Sequence, residues 1–264
     1  MAHKILVVPD VHGRIFWKEP VMHYLNDVDK VVFLGDYLDP YRDETGVADD
    51  IFGNMMEIIA LKQNNWEKVV LLKGNHDQHY SSKVFYELAR GTRLEKWNWQ
   101  KYHDAFNEYK DCFKLAHVEE VKGTTYLFSH AGLTAYWLSK VNAKMWKLAD
   151  EEISVAEPDI IDRINQLDDS NDGQEMLSIV GRERSMFGEE TGSVLWADVY
   201  EHPFAEAMPI YGLNKVFQVF GHTRLDGEEE DLVEFDHFAM IDSQKCFLID
   251  EALEKRVVPI KTSI

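Results

Sequence analysis

The chain has 264 residues, 45% hydrophobic and 28% charged, enough for one large core or two small ones. Its 28 Lys and Arg stand against 47 Asp and Glu, a formal charge of −19 that disfavours nucleic-acid and anionic-membrane partners, which clustered basic side chains hold. No apolar run approaches the roughly eighteen residues of a membrane span, and the run after Met1-Ala2-His3-Lys4 is too short for a secretory leader. Cys112 and Cys246 fit no metal-binding spacing and read as reduced thiols, so a cytoplasmic protein is expected.

In chain order, Ile5 to Val8 is a β-branched, apolar run stopped by Pro9 and predicts a buried strand. Trp17 to Leu25 predicts a helix, Val31 to Leu34 a second strand closed by Gly35, and Ala48 to Leu61 a helix with Ile51, Met55, Ile58 and Ile59 on one face. Val69 to Leu72 predicts a third strand before Gly74. Alternating strands and helices predict a parallel sheet with crossover helices. Ser82 to Lys114 has helical periodicity, and Trp97, Trp99, Tyr102, Phe106 and Tyr109 fall near one face, which predicts core packing rather than a base-stacking platform. Further strands are predicted at Thr124 to Phe128, Val216 to Phe220, Phe238 to Ile241 and Cys246 to Ile249. The acid-rich stretch of about 133–200 reads as an inserted helical and loop region within a single domain of residues 1–264.

Each of five short polar motifs follows a predicted strand: Asp10-Val11-His12-Gly13, Gly35-Asp36-Tyr37-Leu38-Asp39, Gly74-Asn75-His76-Asp77, Ser129-His130-Ala131-Gly132 and Gly221-His222-Thr223. Open α/β sheets place ligands beyond the carboxyl ends of their strands. Carboxylate, imidazole and amide oxygen together suit a divalent metal between hard and borderline in character. Two such ions could share one carboxylate, with Asp36 as the bridge, Asp10 and His12 on the first ion, and Asn75, His130 and His222 on the second. Mixed oxygen and nitrogen donors fit Mn²⁺, with Fe and Zn²⁺ as alternatives.

In this order the motifs resemble the calcineurin-like metallophosphoesterase superfamily, and Asp39 and Thr223 make the chain most similar to its protein Ser/Thr phosphatase-type branch. The resemblance implies an α/β fold with a central β-sandwich of two mixed sheets flanked by helices, and an inserted cap region. It also implies that His222 does not bind the first ion, and that His76 is not a ligand but the general acid, oriented by Asp39. Two phosphate-binding arginines are implied as well. Where that branch has Arg-Gly after its second Asp, this chain has Pro40-Tyr41-Arg42, leaving Arg42 as one candidate. Arg184, upstream of Trp196-Ala197-Asp198, is the other, favoured over Arg182.

The expected activity is hydrolysis of phosphomonoesters, Ser/Thr phosphoproteins among them, by a hydroxide bridging two metals, with His76 as acid. Small phosphomonoesters, nucleotides and phosphoproteins all remain open as substrates. The alternatives are a dinucleoside polyphosphate hydrolase, a phosphodiesterase, disfavoured because Arg224 stands where many other branches carry a second His, and an inactive binding module of the same fold.

Overall fold

The computed structural model describes residues 3–41, 45–83, 85, 93, 96–149, 158–201, 216–225 and 231–260. The chain forms two compact units, one of Met1–Lys114 with Ser243–Ile264, the other of Leu115–Asp242. Each is built on one sheet, and both sheets are mixed.

In the first unit, strands β1 (Lys4–Val8), β2 (Lys30–Phe33) and β3 (Val69–Leu72) run parallel, joined by helices α1 (Lys18–Tyr24) and α2 (Ile51–Asn64). After β3 come helices α3 (Asn75–Ser81) and α4 (Trp99–Glu108), then the short β4 (Phe113–Lys114), parallel to β3. The strand order is β11-β10-β1-β2-β3-β4, completed by β10 (Phe247–Asp250) and β11 (Val258–Pro259) from the C-terminal segment. The parallel arrangement expected for β1 to β3 holds and extends to β4, and the sheet is mixed, as the resemblance implies, because β10 runs antiparallel to β1 and to β11. Leu6 and Val8, Val31 and Phe33, and Val69 and Leu71 share one sheet face with period two, packed with Val21, Met55, Ile58 and Ile59 from the helices. The alternate residues Ile5, Val7, Val32 and Leu72 are equally buried, as in strands covered on both faces. Tyr102 and Phe106 of α4 enter this core as expected, whereas Trp97 is 97% exposed, because it lies in a single 3₁₀ turn ahead of α4 and off its buried face.

In the second unit, β5 (Ala116–Val121) and β6 (Thr124–Ser129) form a hairpin through Lys122-Gly123. Both turn residues have left-handed backbone (φ +54° and +75°), the two-residue geometry that matches strand twist. The sheet order is β5-β6-β7-β9-β8, with β7 (Val216–Phe220) parallel to β6 and to β9 (Phe238–Met240), and β8 (Val233–Glu234) antiparallel to β9. Between β6 and β7 lie α5 (Ala135–Val141), α6 (Pro158–Asn165) and α7 (Asn171–Leu177). Thr134 and Ser170 cap α5 and α7 by accepting the N–H of Trp137 and Gly173. Among the described residues no helix is long and apolar enough to cross a membrane.

Candidate active site

Registered pairing in the first unit sets the ends of its strands side by side: Val8 opposes Phe33, and Phe33 opposes Leu71. The loops after β1 and β2 continue that ladder. Val11, His12 and Gly13 donate their N–H groups to the carbonyls of Gly35, Asp36 and Tyr37 at 3.3, 2.6 and 2.9 Å. Asp10, His12, Asp36, Asp39, Asn75 and His76 are thereby collected in one unit, all buried. His12 Nε2 lies 3.4 Å from Asp36 Oδ2. His12 Nδ1 is 2.9 Å from the Leu38 carbonyl, to which it can only donate, so Nε2 keeps its lone pair for another partner. Burial is the main reason that the His12 pKa falls to about 3, with the Asp36 charge opposing it, so the ring stays neutral as a metal ligand must.

Two glycines make this packing possible. A Cβ on Gly74 would stand 2.0 Å from Asp36 Oδ1, and one on Gly35 would stand 2.4 Å from the Gly74 nitrogen. Gly35 also has φ +107°, outside the range of other residues. Backbone strain concentrates in the same loops. Of the seven described non-glycine residues with left-handed backbone, four are His12, Asp36, Asp39 and His222.

His76 sits in the first turn of α3, where its N–H donates to Asp36 Oδ1 at 2.9 Å. Its Nδ1 is 2.7 Å from Asp39 Oδ2, and the Tyr80 hydroxyl donates to Asp39 Oδ1. Asp39 therefore fixes the ring through Nδ1 and leaves Nε2 to exchange a proton. Burial lowers the His76 pKa, but the charges of Asp36 and Asp39 and the hydrogen bond to Asp39 outweigh it, and the net shift is upward.

Three residues that frame this site were given no role by sequence, although Asp77 closes the third motif. Asp77 accepts three backbone N–H groups, those of Gly74 and Asp36 on Oδ2 and that of Tyr37 on Oδ1, at 2.8, 2.7 and 2.9 Å. Arg14, 2% exposed, donates to the carbonyls of Asp10 and Val11. Arg93 donates from Nε to the Asp39 carbonyl at 2.9 Å. An Asp beside a metal-like motif, or an Arg two residues beyond it, is a sequence signal that could have flagged the first two. Arg93 has no such neighbour in the chain. Arg42 lies outside the described residues.

In the second unit, His130 follows β6 and His222 follows the parallel β7, and their Nε2 and Nδ1 atoms face each other at 3.1 Å. Gly221 N–H donates to the His130 carbonyl, and the buried Gln218 holds both backbone groups of Leu133. The Trp196 ring lies edge-on to His222 at 6.0 Å. Arg184 Nε pairs with Asp198 Oδ2 at 2.7 Å while its Nη2 donates to Thr223 Oγ1 at 2.7 Å. The expected Arg184 is thus beside the His222 loop, held by the Asp198 of the expected Trp-Ala-Asp stretch, while Arg182 is 52% exposed and turned to Glu183.

Asp10 and Asp36 of the first unit are buried carboxylates able to offer ligand atoms to a metal. The donors fit a divalent cation: buried carboxylates need a compensating positive charge, and a neutral His12 presents an aimed lone pair.

Comparison with known proteins follows the same lines. The family described as calcineurin-like phosphoesterase matches residues 3–223. No curated protein matches the chain in sequence. Among solved structures, a cold-active protein-tyrosine phosphatase of a Shewanella species is similar with a TM-score of 0.54 and 16% identity, over 94% of this chain and 76% of that one. A protein serine/threonine phosphatase from Saccharomyces cerevisiae is similar with a TM-score of 0.52 and 14% identity, over 98% of this chain and 79% of that one. At such identities the likeness is one of fold.

Proposed function

We propose a function from one premise: this chain belongs to the calcineurin-like phosphoesterase family, whose members use divalent metals to hydrolyse phosphoesters. The reading is a binuclear metal-dependent phosphatase acting on phosphomonoesters. Its proposed metal ligands are Asp10, His12, Asp36 and Asn75 from the first unit and His130 and His222 from the second, with Asp36 shared. Two divalent ions, Mn²⁺ by preference, when bound would acidify a water into a nucleophile and offset phosphate charge.

The chain's own residues supply the remaining chemistry. His76 protonates the departing oxygen through Nε2 while Asp39 holds Nδ1 and stabilises the charged ring. Its upward-shifted pKa keeps the acid form present closer to neutral pH. Asp77 and Arg14 position the loops that carry Asp36 and Asp10. The observation that carries the reading is the 2.7 Å Asp39–His76 pair, built on the backbone that also holds Asp36. A structural ion pair alone would not need His76 N–H to reach back to Asp36.

The test is turnover of p-nitrophenyl phosphate with added Mn²⁺, set against bis-p-nitrophenyl phosphate. Preference for the monoester supports the phosphatase. Preference for the diester supports a phosphodiesterase, and cleavage of dinucleoside polyphosphates alone supports the nucleotide-directed reading. No turnover with any divalent ion supports a binding module.

A further inference from the structure

The loop after β2 departs from the resemblance at one point: Pro40-Tyr41 follow Asp39 where Arg-Gly is expected. The structure fills this space from elsewhere in the chain. Arg93 donates from Nε to the Asp39 carbonyl at 2.9 Å, and its guanidinium carbon lies 3.5 Å from the centroid of the Tyr41 ring. Tyr41 in turn meets His12 edge-on, with ring centroids 5.4 Å apart.

One hydrogen bond and one stack fix the guanidinium plane, because a planar cation lies flat on an aromatic face and directs its N–H edge outward. Nη2 then stands 3.5 Å from His12 Nδ1. That nitrogen already gives its hydrogen to Leu38, so it cannot accept, and the approach positions Nη2 without satisfying it. Among the described residues no carboxylate pairs with Arg93. Arg184 is instead neutralised by Asp198, and Arg14 is buried on two carbonyls. In a chain of charge −19, a half-buried arginine with no acidic partner among the described residues is a poor solubility device but a suitable anion receptor.

We infer that Arg93, mounted on Tyr41, is the arginine that binds the substrate's phosphate beside His12 and the Asp39–His76 pair, through its Nη1 and Nη2 hydrogens. The inference rests on the phosphatase reading for its substrate, and inorganic phosphate serves as the probe. Pro40 and Tyr41 thereby acquire a purpose: Tyr41 offers a platform for an arginine from a distant segment.

The experiment is calorimetric titration of inorganic phosphate into the Mn²⁺-loaded full chain, comparing wild type with Arg93→Ala and Arg93→Lys. Loss of charge-assisted bonds should weaken phosphate about 10–100-fold in Arg93→Ala, with Mn²⁺ affinity unchanged. Arg93→Lys should recover part of that loss, since it restores the charge without the fork. Unchanged phosphate affinity in Arg93→Ala overturns the inference, as does a wild type that binds no phosphate. Loss of Mn²⁺ binding in both variants also overturns it, because Arg93 would then only brace the Asp39 backbone. If wild type binds phosphate through Arg93 yet hydrolyses no ester, the inference stands and the phosphatase reading falls.

Discussion

Asp77 holds Asp36 by its backbone: one carboxylate oxygen accepts the Asp36 N–H at 2.7 Å and the Gly74 N–H at 2.8 Å, clamping the second and third motifs together. Its other oxygen takes the Tyr37 N–H. An amide has one acceptor and turns an NH₂ toward the remaining donors. Asp77→Asn should therefore lower Mn²⁺ affinity by about 10–100-fold, the usual cost of disturbing a residue that supports a ligand. Titration calorimetry checks this, and an unchanged affinity would show that the Asp36 loop holds its shape unaided.

Removing the proposed acid should separate chemistry from metal binding. His76→Asn should reduce kcat by about 10²–10⁴-fold with two Mn²⁺ still bound. Asp39→Asn should reduce it less, because the ring loses orientation and charge support but keeps its proton. Metal content by atomic emission, read beside turnover, decides between an acid and a ligand. Loss of metal from His76→Asn would mark it as a ligand.

Gly74→Ala tests close approach rather than backbone freedom. Gly74 has φ −101° and ψ 178°, a conformation any residue adopts, yet its added methyl would meet Asp36 Oδ1 at 2.0 Å. Displacement of that carboxylate should weaken Mn²⁺ by at least about 10-fold while the helical circular dichroism stays intact. Full activity in the variant would mean that Asp36 can shift at no cost.

Beside the share that His12 contributes, part of the acid sensitivity should be traceable to His79. Burial is the main cause that lowers its pKa to about 4, against 6.5 when exposed. Between these values the unfolded chain takes up a proton that the folded chain refuses, so stability falls as pH drops from about 6.5 toward 4. This one group contributes a slope of up to about 1.4 kcal/mol per pH unit. Urea unfolding of metal-free protein from pH 7 to 4.5 should show a shallower decline in His79→Gln, and equal slopes would dismiss the group as the source.

Much of this was legible in the residues because it is written locally. β-branched runs stopped by Pro9, Gly35 and Gly74 mark β1 to β3, and the polar groups that follow them are where strand ends must deliver ligands. β5 was not legible: Ala116 to Val121 carries His117, Glu119 and Glu120, and its pairing with β6, not its own pattern, makes it a strand. β10 was expected as a strand at Cys246 to Ile249, but its antiparallel direction was not legible there, since direction is set by where the C-terminal segment returns and not by its composition. Within the site, ligand-type side chains announce themselves by type and spacing, whereas Tyr80 and Arg93 act through carboxylate or carbonyl contacts that no spacing encodes.

The left-handed backbone at His12, Asp36, Asp39 and His222 has an evolutionary corollary. Each such residue holds back on the order of 1 kcal/mol that glycine would release. A laboratory selection rewarding heat resistance alone would thus drift toward those four codons and return robust, inert proteins.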